Sequence, residues 1–153
     1  MIIAGRFTYW GSCLEAISFY CDIFHFKIEK LVKYGECEDL GIPLFPEHEE
    51  LVHSAVIIHP SGFRMFMCDS FSMLISKDHV AKINLGHLSV KGCREGAPLE
   101  VYNLNESEII EIYKLHIENQ SIPHISLGAR GKLKLYASVM DKFNLCWNLS
   151  CEG

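Results

Sequence analysis

The sequence lacks the short motifs that usually announce chemistry. It has no G-x-G-x-x-G or G-x-x-x-x-G-K-S/T loop to cradle phosphates, no G-x-S-x-G nucleophile elbow and no H-E-x-x-H zinc helix. Nucleotide-binding, α/β-hydrolase and zincin chemistries therefore have no support. No two of its seven cysteines stand in C-x-x-C spacing, which removes a zinc knuckle or a dithiol redox motif. An odd number of scattered cysteines reads instead as reduced, mostly buried thiols. Basic charge is scarce: 14 Lys and Arg against 19 Asp and Glu leave a formal charge of −5, and the lone basic stretch, Arg130 to Lys134, is short. Nucleic acid, whose nonspecific affinity comes from clustered cations, is not an expected partner. No apolar run approaches the roughly 18 residues of a membrane span. Met1 to Gly5 leads straight into Arg6 and strand-like alternation rather than into a signal peptide. A cytoplasmic location, with no membrane partner, is expected.

What is present describes one globular domain. The chain has 153 residues, 49% of them hydrophobic and 22% charged, enough to bury about two-thirds of the unfolded surface in a single core. Ile2 to Trp10 is rich in β-branched and aromatic residues and reads as a strand closed by Gly11. Ser12 and Glu15 have capping-box spacing, and Cys13, Ala16, Ile17 and Tyr20 recur at helical intervals, so a helix should dock that face on a sheet. Phe26, Ile28, Lys30 and Val32 alternate with Lys27, Glu29, Leu31 and Lys33, as in a strand with one wetter face. Residues 36–50 carry two prolines, Gly41 and six acidic residues and read as a loop. Leu51 to Ile58 and Phe63 to Cys68 are two short apolar runs joined by the hairpin signal His59-Pro60-Ser61-Gly62.

The plan then restarts. Ala81 to Val90 reads as a strand and Gly92 to Leu104 as a connection. Asn105, with Glu108 three residues on, caps a second helix. Tyr20 and Tyr113 lie at the same offset from their respective caps, Ser12 and Asn105. Pro123 to Leu127, Leu133 to Met140 and Leu145 to Ser150 supply three more strands. The order is β-α-β-β-β twice, with the break near residue 75: an α+β fold built from an internal repeat. One unrepeated α+β domain of eight strands is the alternative.

At this point three stretches resemble the PhnB-like branch of the glyoxalase, bleomycin-resistance and dioxygenase (vicinal-oxygen-chelate) superfamily. Phe7 to Tyr20 looks like its strand, Gly turn and E-A-x-x-F-Y helix; Tyr34-Gly35 follows the second strand; and Asp141-Lys142-Phe143-Asn144-Leu145-Cys146-Trp147 looks like its D-x-F-G-x-x-W ending. The sequence departs at Asn144, where Gly is usual, and between Pro123 and Tyr136, which lacks the usual W-G pair. Asn tolerates the left-handed turn conformation better than most residues. The resemblance implies a glyoxalase-like fold, two βαβββ modules (about 1–75 and 76–153) forming one cupped mixed sheet in a single domain, usually paired as a homodimer.

In metal-dependent members four inward His or Glu side chains hold a divalent ion that polarises substrate oxygens. Laid on this sequence, those positions fall near Gly5, Met67, Leu85 and Asn148, none a ligand for a hard ion. No metal or other cofactor is expected unless a register shift brings other residues in. His87 shares strand parity with Leu85, and Asp69 with Met67, so both become candidates for acid-base or metal work. His53 lies where PhnB-like relatives often show His. The same parity makes Phe7, Tyr9, Met65, Met67, Leu85, His87 and Asn148 the expected cavity lining, apolar and Met-rich. The remaining histidines, His25, His48, His59, His79, His116 and His124, read as turn, loop or helix-surface residues. Some relatives carry demethylubiquinone methyltransferase labels, but no Gly-rich turn for such a cofactor follows the first strand.

The expected function is a metal-free small-molecule-binding protein. The alternative is a lyase, isomerase or dioxygenase-like enzyme using a shifted metal site or a His87/Asp69 pair. A third reading is a scaffold whose acidic 36–50 loop meets a protein partner.

Overall fold

The computed structural model describes residues 6–74 and 98–153. The chain divides into two compact units, Met1–Gly86 and His87–Gly153. The first unit runs β1 (Arg6–Tyr9), α1 (Cys13–Phe24), β2 (Lys27–Lys33), β3 (Val52–Ile58) and β4 (Arg64–Asp69). Its sheet order is β1-β4-β3-β2, with β1 parallel to β4 and the other pairs antiparallel. The second unit runs β5 (Leu99–Val101), α2 (Glu106–Glu118), β6 (Ile122–Arg130), β7 (Leu133–Met140) and β8 (Cys146–Glu152), in the order β5-β8-β7-β6 with the same parallel and antiparallel pairs. The repeated β-α-β-β-β order read from the sequence is the order of the structure.

One strand of the structure was not expected. The expected strand Ala81 to Val90 lies outside the described residues, whereas the segment read as a connection, Gly92 to Leu104, contains β5. β5 pairs parallel with β8 as β1 does with β4. Three residues with a charged centre, Leu99-Glu100-Val101, are too few to display a strand period.

The helices begin in two ways. At α2 the expected capping box forms: Glu108 N–H donates to Asn105 Oδ1 at 2.9 Å and Asn105 N–H to Glu108 Oε2 at 2.8 Å. At α1 it does not, because Ser12 makes no side-chain cap bond. The carboxylate of Asp69, arriving from the end of β4, accepts the Cys13 N–H instead at 3.1 Å. An anion at a helix N-terminus meets both the unpaired amides and the positive end of the helix dipole. The face expected to dock does so, with Cys13, Ala16, Ile17 and Tyr20 all buried.

Turns follow their residue chemistry. His59 and Gly62 close the β3–β4 hairpin, with Gly62 at φ +91°, where a side chain would be strained. Asn144, standing where the resembled motif has Gly, adopts φ +65°. All six described cysteines are free thiols, and Cys13, Cys68, Cys146 and Cys151 are buried. Among the described residues no helix is long and apolar enough to cross a membrane.

Candidate functional site

Each sheet has a face covered by its own helix and a face turned away from it, and alternation along the strands assigns side chains to one or the other. In the first unit the helix face is fixed by contacts. Tyr9 meets Tyr20 of α1, hydroxyl to hydroxyl, at 3.4 Å, and Asp69 bonds the first turn of α1. Met67 and Met65 share the parity of Asp69 and pair with Ala55 and Ile57 on β3. Met65, Met67 and Asp69 are 0%, 1% and 1% exposed, which marks a filled core rather than an open lining. Phe7, paired with Met67, points the same way. Phe7, Tyr9, Met65 and Met67 thus share one face, as their parity predicts, and it is the face packed against α1.

Asp69 is fully engaged there. Its Oδ1 accepts from Cys13 N–H, its Oδ2 accepts from Val52 N–H at 2.9 Å, and its backbone carbonyl accepts from the Tyr34 hydroxyl at 3.1 Å. Burial, reinforced by the neighbouring Cys68 and Asp69, pushes the Tyr34 phenol up to about 12, so it stays a donor. Asp69 ties α1, β3 and β4 together. Leu85 and His87 lie outside the described residues, so the structure does not bring Asp69 and His87 together. His53 is exposed, its ring 5.2 Å from that of Tyr34 and perpendicular to it.

The opposite face of the first sheet has a different character. Arg6, Phe66, Val56 and Lys30 form one cross-strand row from β1 through β4 and β3 to β2. Beside it Thr8 and Cys68 pair, Thr8 Oγ1 and Cys68 Sγ lying 3.8 Å apart, and Ser54 pairs with Val32. Arg6, Thr8 and Lys30 are exposed, and Phe66, Val56, Val32 and Ser54 half-buried. Lys30 reaches this face through a register shift in β2: Ile28 pairs with Ile57 on the helix side and Lys30 with Val56. The simple alternation expected for β2 placed Ile28, Lys30 and Val32 together; the irregularity turns Ile28 to the helix side and leaves Lys30 and Val32 on the other.

In the second unit Trp147, Leu149 and Cys151 take the helix side; the Trp147 ring lies 6.4 Å from that of His116 on α2. Asn148 faces away from α2 with Ser138 beside it, and its Nδ2 donates to Glu100 Oε1 at 2.8 Å. On the same face the Arg130 guanidinium stacks on Tyr136 at 4.9 Å from the ring centre. Asn148 therefore belongs to a polar row with Glu100 and Ser138. Glu100 was missed in the sequence because β5 was.

His116, read from sequence as a surface residue, is 0% exposed. Its Nδ1 lies 2.8 Å from Ser121 Oγ, and burial lowers its pKa to about 4. Its seven-residue spacing from buried Ile109 was the available signal.

Among the described residues the fold's divalent ion finds no complete donor set. Thr8 and Cys68 offer a hydroxyl and a thiol, Glu100 a single carboxylate beside the Asn148 amide, and no three His, Cys, Asp or Glu side chains converge.

No family model and no curated protein matches the sequence. Solved structures do match. Protein PA1353 from Pseudomonas aeruginosa superimposes with a TM-score of 0.73 at 16% identity, covering 99% of this chain and 98% of that one. A PhnB protein from Bacillus cereus, named for 3-demethylubiquinone-9 3-methyltransferase, gives 0.72 at 19% identity with 99% of both chains covered. A glyoxylase/bleomycin resistance protein/dioxygenase domain from Frankia sp. EAN1pec gives 0.58 at 8% identity, over 100% of this chain and 98% of that one. At these identities the likeness establishes the fold. It is the glyoxalase-like α+β fold with two modules, shared with PhnB-like proteins.

Proposed function

We propose that the chain is a small-molecule-binding protein that works without a divalent metal and takes its ligand on sheet faces turned away from the helices. One observation carries this reading. The helix face of the first sheet is filled, whereas its opposite face leaves Phe66, Val56 and Val32 half-buried beside the exposed polar groups of Arg6, Thr8 and Lys30. Apolar surface with a few placed polar groups is what small-molecule sites are made of. The two-module fold shared with a bleomycin resistance protein domain supports the same reading; we propose with it that the chain pairs as a homodimer. The methyltransferase name of the Bacillus cereus neighbour is not carried over, since Gly11 alone follows β1.

The test is mass spectrometry of the gently purified protein, native and then denatured. A noncovalent organic adduct released on denaturation is the expected result. One tightly held divalent ion per chain by elemental analysis, with no organic adduct, would overturn the reading.

A further inference from the structure

Within that reading, the cross-strand row on the first sheet selects the chemistry of the ligand. We propose that this face binds an organic anion with an apolar, preferably aromatic, body: the body over Phe66 and Val56, the anionic group at Arg6 or Lys30.

The row runs Arg6, Phe66, Val56, Lys30 by direct register. Three strand spacings separate its ends by roughly 14 Å, so two cations bracket an apolar floor. Neither Arg6 nor Lys30 takes part in an ion pair among the described residues. Of the other described charges on this face, exposed Lys27, paired with Ile58 in the next row, is a further cation outside any ion pair among the described residues. Arg64, one strand pair along, is held by Glu29 through two bonds of 2.9 and 3.0 Å and contributes little net charge. Lys33 pairs with Glu50, and the Asp69 carboxylate lies on the helix face with both oxygens bonded to backbone N–H groups. What remains is a locally positive face on a chain of formal charge −5. A cation beside half-buried apolar surface favours a ligand that is both anionic and apolar, because each group alone would leave the other part of the face unmatched.

Isothermal titration of the full chain with 1-naphthoate, 1-naphthamide and acetate, in low and high salt, tests the proposal. Naphthoate should bind at least tenfold more tightly than either control and weaken as salt rises. Arg6→Gln or Lys30→Gln should lower its affinity at least tenfold, while Lys114→Gln in the second unit leaves it unchanged. Equal binding of naphthoate and naphthamide would overturn the anionic class and leave small-molecule binding standing. Binding by neither overturns the proposal, and whether the wider reading falls with it is decided separately by the mass spectrometry. Naphthoate binding that is indifferent to both Arg6→Gln and Lys30→Gln would place the anion elsewhere and overturn the assignment.

Discussion

Asp69 and Cys13 are joined by a buried hydrogen bond across 56 residues of chain, the carboxylate of the fourth strand accepting the first amide of the first helix at 3.1 Å. The same carboxylate holds Val52 N–H. Replacing it with Ala leaves two buried backbone donors without an acceptor, a loss of about 3 kcal/mol. Asn retains one acceptor oxygen and should lose less. Urea unfolding of Asp69→Ala and Asp69→Asn gives the comparison; equal and small losses would remove Asp69 from its anchoring role.

The two helix starts predict opposite responses to the same kind of substitution. Asn105→Ala should cost about 1 kcal/mol, since its side chain caps α2. Ser12→Ala should cost far less, because Ser12 makes no cap bond. Thermal denaturation of both variants distinguishes them, and a larger loss for Ser12→Ala would contradict the arrangement.

The β7–β8 turn gives a third expectation. Asp141 accepts from Phe143 N–H, Leu145 N–H and Trp147 Nε1–H at 2.9, 3.0 and 2.9 Å. Asp141→Ala should therefore destabilise the second unit by about 3 kcal/mol. At Asn144, φ +65° makes Ala cost about 1 kcal/mol while Gly is tolerated. The fluorescence of Trp147, read in a Trp10→Phe background, reports this unit, since the chain has two tryptophans.

His116 sets a pH dependence. Its folded pKa, about 4, lies below the ordinary value of 6.5, so the unfolded chain binds the proton more readily between those values. Its contribution is therefore complete above about pH 6.5 and is lost as pH falls toward 4, by up to about 3 kcal/mol. Equilibrium unfolding from pH 7 to 4 should show this slope, and His116→Gln should flatten it. A slope unchanged in His116→Gln would assign the acid sensitivity to other groups.

Much of the fold was legible because the repeat carries its own local signals. Asn105 and Glu108 spelled out a cap, and Asn144 a left-handed turn. Parity also grouped Phe7, Tyr9, Met65 and Met67 on one face. Which face the helix covers is a tertiary fact, however, and alternation is blind to it. The positions on the other face, exposed Arg6, Thr8 and Lys30 and half-buried Phe66, were in the opposite register, and a shift in β2 hid Lys30. β5 was too short to show a period, which concealed Glu100. Ser12 had the right spacing but makes no cap bond, and a carboxylate from a distant strand meets a different amide of the same turn, that of Cys13.

Ligand binding away from the helices is tested most directly by backbone ¹H–¹⁵N spectra recorded while cocktails of small organic fragments are added. Shifts should gather at Thr8, Val56, Phe66 and Cys68, or at Glu100, Ser138 and Asn148. Shifts confined to α1 and α2, or none across a chemically diverse set, would contradict it.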